Sequence, residues 1–476
     1  VQTPDHLLEI LAWAAPQREM ISKTNSRSGK YIDDKTHSCA FLTQNRTRSA
    51  DMAELSDAQF DELFDKMEDR DFFKGSSKAR VPVMSMYANS IAENFLGEEK
   101  PDKLEEMLSI CLKCVREGSG GPSTISALRA IAITAISVGD EDGALFNRLK
   151  DPVQGCARDP TYASGQAAAI RALSSITYFG GADYQETTKL VDWMREIVVS
   201  DGEHIDALDN AEVVAAAIHE WAFLTTLLPV DTGRLSTALE VLGGQLESNA
   251  PDVLSAAAEA IAMIYEAGYT LKGPDDEIEV SIEVADVDDK VPPQYRRTNW
   301  AHTHHFTNEN YHEIRQKMKE LSKSPMRHVK KDARKELHAT FRDVSHAVEY
   351  PWRGPHFSTA MNDENYAFYG HRLRQGNMTI DRWWKFERYA ALKRTLQDGI
   401  GEHLNHNPAV YNALRNCLEA PSRFKQNSDR GTELLGDAEK NDIHVPEQPH
   451  IDASISGGSE EEDEDLNKRM RKSRLR

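Results

Sequence analysis

"ISALRAIAITAI" (125–136), "QAAAIRALSSITYF" (166–179), "VAAAIHEWAFLTTLL" (214–228) and "LSAAAEAIAMIYEAG" (254–268) read as one helix written four times. In each, small residues precede a group of larger apolar ones. Anchored on Ile131, Leu173, Trp221 and Ile261, the copies are 42, 48 and 40 residues apart. That spacing matches the roughly 40–47-residue period of HEAT and armadillo units. Alanine-rich faces let helices approach closely, and the larger side chains fill the seam between them. Partner helices fall in the gaps, at "TKLVDWMREIVV" (188–199) and "GRLSTALEVLGGQLES" (233–248). Residues 57–117, with "DAQFDELFDKME" and "KLEEMLSICLKCV", supply further units. Each unit buries its faces only against its neighbours, so the array is stable as a stack. The expected fold is all-α: an armadillo/HEAT-like helical solenoid, then a small basic helical C-terminal domain and a disordered tail.

The rest of the chain is bounded by composition. Five domains or segments are expected: an N-terminal extension (1–56), the solenoid (57–272), an acidic insert and linker (273–310), the basic helical domain (311–425) and a tail, acidic then basic (426–476). The insert "GPDDEIEVSIEVADVDDKVPP" (273–293) lacks a helical period and reads as a mobile acidic loop or a short strand pair. "GSGGPST" (118–124) joins two helices, with Pro122 and Ser123 placed for a helix start. It lacks the Gly-Lys-Ser/Thr ending of a phosphate loop. Cys111 and Cys114 sit at i and i+3 on one helix face and read as buried reduced thiols. His302, His304 and His305 lie together without companion ligands, so no metal or other cofactor is expected. No stretch of about 18 apolar residues occurs, and no membrane partner is expected. No nucleophile–base or metalloprotease motif stands out. A non-enzymatic binding scaffold in the cytoplasm, the nucleus or both fits this pattern better than an enzyme with a small-molecule substrate.

Charge is unevenly distributed. The chain carries a formal net charge of −20, yet residues 295–425 hold 23 Lys and Arg against 14 Asp and Glu. A basic third after an acidic two-thirds points to an anionic partner for one region. "KKDARKELHATFRDVSHAVE" (330–349) sorts its residues on a helical wheel. Leu337, Phe341, Val344 and Val348 form an apolar stripe; Lys331, Arg334, Lys335, His338 and Arg342 gather on a second side; Asp332, Glu336 and Asp343 gather on a third. Lys330 precedes this helix. In "HRLRQGNMTIDRWWKFERYAALKRTL" (371–396), Arg372, Arg374, Arg382, Lys385, Arg388, Lys393 and Arg394 are interleaved with aromatic residues. Cations neutralise phosphates, and aromatic or guanidinium planes stack on bases. The tryptophans of this stretch read as core, since the helix is apolar on two sides. Lys468, Arg469, Arg471 and Lys472 close the tail.

These residues resemble the interferon-related developmental regulators. The resemblance is carried by "RHVKKDARKELHATFRDVSHAVE", with Phe341-Arg342-Asp343-Val344, and by "TIDRWWKFERYAALKRTLQDGIGEHLNHNPAVYNALRN", with Ile380-Asp381, Trp383, Tyr389 and His403-Leu404. A weaker, repeat-like likeness covers about 57–270. The resemblance implies a non-enzymatic protein with an armadillo-type array and a distinctive C-terminal domain. It implies binding to translationally inactive ribosomes, through rRNA and ribosomal proteins, with C-terminal material blocking the mRNA and tRNA path. It also implies a second role, transcriptional co-regulation as a scaffold for nuclear protein complexes. The acidic insert and the acidic-then-basic ending depart from the animal pattern.

Overall fold

A computed structural model describes residues 57–69, 72, 77–118, 121–140, 142–271, 299–304, 311–324, 326, 329–355, 369–373 and 376–415. The expectations for 1–56, for most of 273–310 and for 426–476 lie outside the described residues.

Among the described residues, ten helices make up the array anticipated from the repeats: α1 (Asp57–Glu68), α2 (Ser77–Glu93), α3 (Pro101–Glu117), α4 (Pro122–Val138), α5 (Ala144–Ala157), α6 (Ala163–Phe179), α7 (Tyr184–Val199), α8 (Ala211–Thr225), α9 (Thr232–Gln245) and α10 (Pro251–Ala267). The four alanine-rich copies are α4, α6, α8 and α10. Local chemistry sets their starts. Pro101, Pro122 and Pro251 occupy the first turn of α3, α4 and α10. Asp183, Asn210 and Asp231 cap α7, α8 and α9, each accepting a hydrogen bond from a backbone N–H three residues on.

The helices pack in two rows. Along an inner row, α2 packs on α4, α4 on α6, α6 on α8 and α8 on α10. An outer helix covers each inner one: α3 on α4, α5 on α6, α7 on α8 and α9 on α10. The outer helices are amphipathic. α4, by contrast, is buried on nearly every side, from Ser123 to Ser137, as expected of a helix apolar all round.

The array does not stop where the repeats do. Two more helices, α11 (Tyr311–Leu321) and α12 (Lys331–Glu349), form another hairpin, and α12 packs on α10 in the inner row. The stripe Leu337, Phe341, Val344 and Val348 is fully buried there, each side chain contributing roughly 1.5–3 kcal/mol. The segment expected as a separate basic domain therefore begins by continuing the solenoid. Before this hairpin, β1 (Tyr269–Leu271) pairs antiparallel with β2 (Trp300–His302), which ties together the two ends of the acidic insert.

The chain then turns back. An antiparallel pair, β3 (Tyr369–Leu373) and β4 (Gly376–Ile380), leads to α13 (Trp383–Leu396), α14 (Ile400–His406) and α15 (Pro408–Arg415). α13 packs on α10, α8, α4 and α2, and α14 packs on α2. This return segment lies across the inner row, and its core is continuous with that of the array. All the described residues belong to a single compact unit. Gly399 marks the closest approach. A Cβ there would overlap the carbonyl group of Ala92, so backbone meets backbone and only glycine fits.

Candidate nucleic-acid interface

The two basic stretches occupy opposite environments. In α12 the cations face outward. Lys330, Lys331, Lys335 and Arg342 are exposed, and Arg334 is half-buried. No ion pair among the described residues holds Lys330, Lys331, Lys335 or Arg342. At 1.5 Å per residue, Lys331 to Arg342 spans about 16 Å along one helix side. His338 Nε2 lies 2.7 Å from the carbonyl oxygen of Ser324, which accepts its N–H. That bond draws the turn bearing exposed Lys323 against the basic stripe. Two neighbouring cations are already used: Arg315 pairs with Glu349, and Lys317 pairs with Glu247 at 2.5 Å.

The acidic side expected on α12 is not a solvated face. Asp343 is buried, and Glu336 is half-buried. The reason is packing: α12 is covered by α10 on one side and α11 on another, which leaves a narrow outward strip for the cations.

The second stretch is turned inward. Residues 371–373 and 376–380 lie in paired strands and not at the start of a helix, so the constellation is split between strand and helix. Arg374 lies outside the described residues, as do Lys468, Arg469, Arg471 and Lys472; Arg372 sits on β3. No residue of α13 is exposed. Trp383 is core, as its pattern indicated, and Trp384 packs against the core half-buried.

The α13 cations bind the protein itself. Arg388 is 6% exposed and donates from Nε to Thr226 Oγ1 at 2.8 Å, from Nη2 to the Thr226 carbonyl at 2.7 Å and from Nη1 to the Ala413 carbonyl at 2.9 Å. Thr226 ends α8, so the guanidinium also meets the negative end of that helix dipole. Arg394 donates to Glu220 Oε1 through Nε at 3.3 Å and Nη2 at 3.2 Å. Lys385 pairs with Asp381 at 2.8 Å. Arg382 donates to the Trp352 carbonyl at 2.7 Å and lies 4.2 Å from the centre of the Trp300 ring. Lys393 is half-buried, and its pKa is lowered by that burial. Of the candidates for an anionic partner, Arg382, Lys385, Arg388 and Arg394 are thus engaged by internal acceptors in this structure.

Sequence reasoning missed the residues that seat the return segment. Glu266 of α10 is buried and caps α13, its oxygens accepting from Trp383 N–H at 3.0 Å and Trp384 N–H at 3.2 Å. Burial raises its pKa to about 7, although Arg382 and the two amides pull the other way. His403 Nε2 donates to the Ile91 carbonyl at 3.1 Å, and Asn407 Nδ2 to the Ile136 carbonyl at 2.8 Å. Burial holds His403 down near a pKa of about 4. Arg129 of α4 donates to the Thr395 carbonyl at 3.3 Å. A lone acid at the end of an alanine-rich repeat was the one available signal for Glu266.

A profile of the interferon-related developmental regulators matches residues 22–349. The chain belongs to that family. Within this chain the match takes in the array and ends at the last residue of α12; the return segment lies beyond it. An uncharacterised protein of Schizosaccharomyces pombe is 23% identical over 322 residues, covering 67% of this chain and 64% of the relative. The chain thus spans a little under two thirds of that relative's length. Among the described residues, no helix is long and apolar enough to cross a membrane. Cys111, Cys114 and Cys156 are free thiols in buried positions, and burial raises all three pKa values.

Proposed function

We propose that this protein is a non-enzymatic ribosome-binding protein that represses translation, or marks ribosomes that are not translating, by steric block of the mRNA and tRNA path. The observation behind the proposal is the outward strip of Lys330, Lys331, Lys335 and Arg342 on an otherwise acidic chain. Ribosomal RNA is an abundant polyanion that such a strip fits, while an acidic array discourages indiscriminate coating of RNA. Family membership supports the reading. The partners would be rRNA and ribosomal proteins, with no cofactor and no small-molecule substrate.

The alternative is a nuclear scaffold acting in transcription. Peptide capture in the inner row is disfavoured there, because α13 and α14 already cover much of that row.

Sedimentation tests the proposal. The full chain is expected to move with ribosomes at low salt, and the triple change Lys331→Glu, Lys335→Glu, Arg342→Glu to leave it at the top of the gradient. The salt dependence of binding should become shallower by about 0.7 in log–log slope for each single-stranded phosphate that the variant no longer neutralises. A wild-type chain that stays off ribosomes, or a triple variant that binds like wild type, overturns the proposal.

A further inference from the structure

The seam between α13 and the inner row is charged where a core would be apolar. Glu387 of α13 is 1% exposed, and neither of its oxygens meets a hydrogen-bond donor among the described residues. It faces Glu259 of α10, Glu220 of α8 and Arg394 of its own helix. Arg394 is engaged by Glu220, whose other oxygen accepts from Ser174 Oγ of α6. Behind them, Arg171 of α6 faces Glu212 at 3.9 Å. Arg171 also feels Glu220, Asp252 and Arg394. His219 of α8 is kept neutral by burial and by Arg394 and Arg171.

Other charges touch α13 at its ends. Glu266 of α10 and Lys385 with Asp381 lie at its start. Arg129 of α4 bonds the Thr395 carbonyl near its end, beside Glu93 of α2 and Asp398 of the following turn, which faces Lys393. On α14, Glu402 pairs with His406 and His403 bonds the Ile91 carbonyl of α2. None of these supplies Glu387 with a donor.

A buried carboxylate without a donor, set beside two other carboxylates, is far costlier than the neutral acid. We propose that Glu387 is held as a neutral carboxylic acid, and that its proton latches the return segment 383–415 onto the inner row. Loss of the proton unseats α13 and turns Arg388 and Arg394 outward, where they become available to an anionic partner. Burial and Glu259 raise the pKa of Glu387 well above the usual carboxylate range. A raised carboxyl contributes stability that is complete below its unfolded pKa and is lost as pH rises through the folded one. Glu266 works in the same direction, and Lys393, lowered by burial, in the opposite one. The latch is independent of the ribosome reading, since it concerns only how the chain closes on itself.

Hydrogen exchange on the full chain tests it, with rates corrected for intrinsic amide chemistry, from about pH 6 to about pH 9. Peptides from 383–415 in the wild type should lose protection with rising pH, by up to about tenfold per pH unit while Glu387 stays protonated in the closed segment, and the loss should level off once it titrates there. Peptides from α5 and α7 serve as reference. Glu387→Gln, neutral at every pH, should show a shallower loss; Glu266 acts on both proteins alike, so the difference reports Glu387. A flat wild-type profile, or equal slopes in the two proteins, overturns the latch. Should Glu387→Gln fail to fold, infrared spectroscopy of Glu266→Gln, which lacks the other buried acid of this seam, decides. A buried protonated-carboxyl band that fades as protection of 383–415 falls supports the proposal, and its absence at neutral pH overturns it.

Discussion

α12 and α13 are both basic helices with aromatic or aliphatic company, yet one presents its cations to solvent and the other hides them. On α12 the cations Lys331, Lys335 and Arg342 fall within one narrow sector of the wheel. On α13, Lys385, Arg388, Lys393 and Arg394 are spread around the whole circumference. A helix with charges all round cannot be buried unless each charge finds a partner, and α13 finds them in Glu220, Asp381, Thr226 and Ala413. The inward pair that reaches main-chain and carboxylate acceptors is arginine, whose planar fork suits such geometry; two of the three outward cations are lysine. Angular sorting, more than basic content, separates an exposed basic strip from a fastening inside the molecule.

The sharpest way to break this contrast is to truncate one cation on each helix. Arg388→Ala leaves the Thr226 and Ala413 carbonyls without their buried donor and is expected to cost about 4 kcal/mol, read as a lowered urea midpoint. A loss below about 1 kcal/mol would put Arg388 with the surface cations. A somewhat smaller effect is expected from pH. Glu266, raised to about 7, contributes stability that is complete below the ordinary carboxylate range and is lost as pH climbs through 7. Glu266→Gln should therefore gain on the wild type by up to about 3 kcal/mol between about pH 4.5 and 7. His403, held near 4, acts oppositely in both proteins, since its contribution is complete above the usual histidine pKa and disappears as pH falls through 4.

The next comparison needs only two glycines. Gly399→Ala should cost about 2 kcal/mol, because its methyl would collide with the backbone of Ala92. Gly401→Ala, with no atom near enough to meet its Cβ, should stabilise α14 by about 0.5 kcal/mol. Calorimetric melting points of opposite sign would establish that the return segment seats backbone to backbone. Smallest of all, Lys335→Ala should shift the urea midpoint by no more than about 0.5 kcal/mol, while still weakening ribosome sedimentation. Loss of both together would mean that the α12 strip is part of the fold's own fastening.

Much of this architecture can be read from residues alone, and the failures are instructive. The alanine-rich copies identify α4, α6, α8 and α10 because each is packed between inner-row neighbours and covered by an outer partner, with α13 added over α4, α8 and α10. α12 escaped recognition as a further copy because its outward strip is wet and charged, so the shared apolar signature is missing. The burial of α13 was half visible. Its tryptophans pointed inward, but its arginines looked like contacts for a partner, because the acceptors Glu220 and Thr226 lie more than a hundred residues earlier in the chain. The paired strands β3 and β4 gave no alternating pattern strong enough to outweigh the basic residues around them.

The bond between His403 and the Ile91 carbonyl joins residues 312 positions apart. A stack of repeats ordinarily frays from its ends, each unit held only by the next. Here the first inner helix is clasped by one of the last described segments to leave the ribosome that makes it. The early hairpins can form as they emerge, but the clasp across them closes only when synthesis has passed residue 403, so the finished array should melt as a whole where its nascent predecessor would unzip.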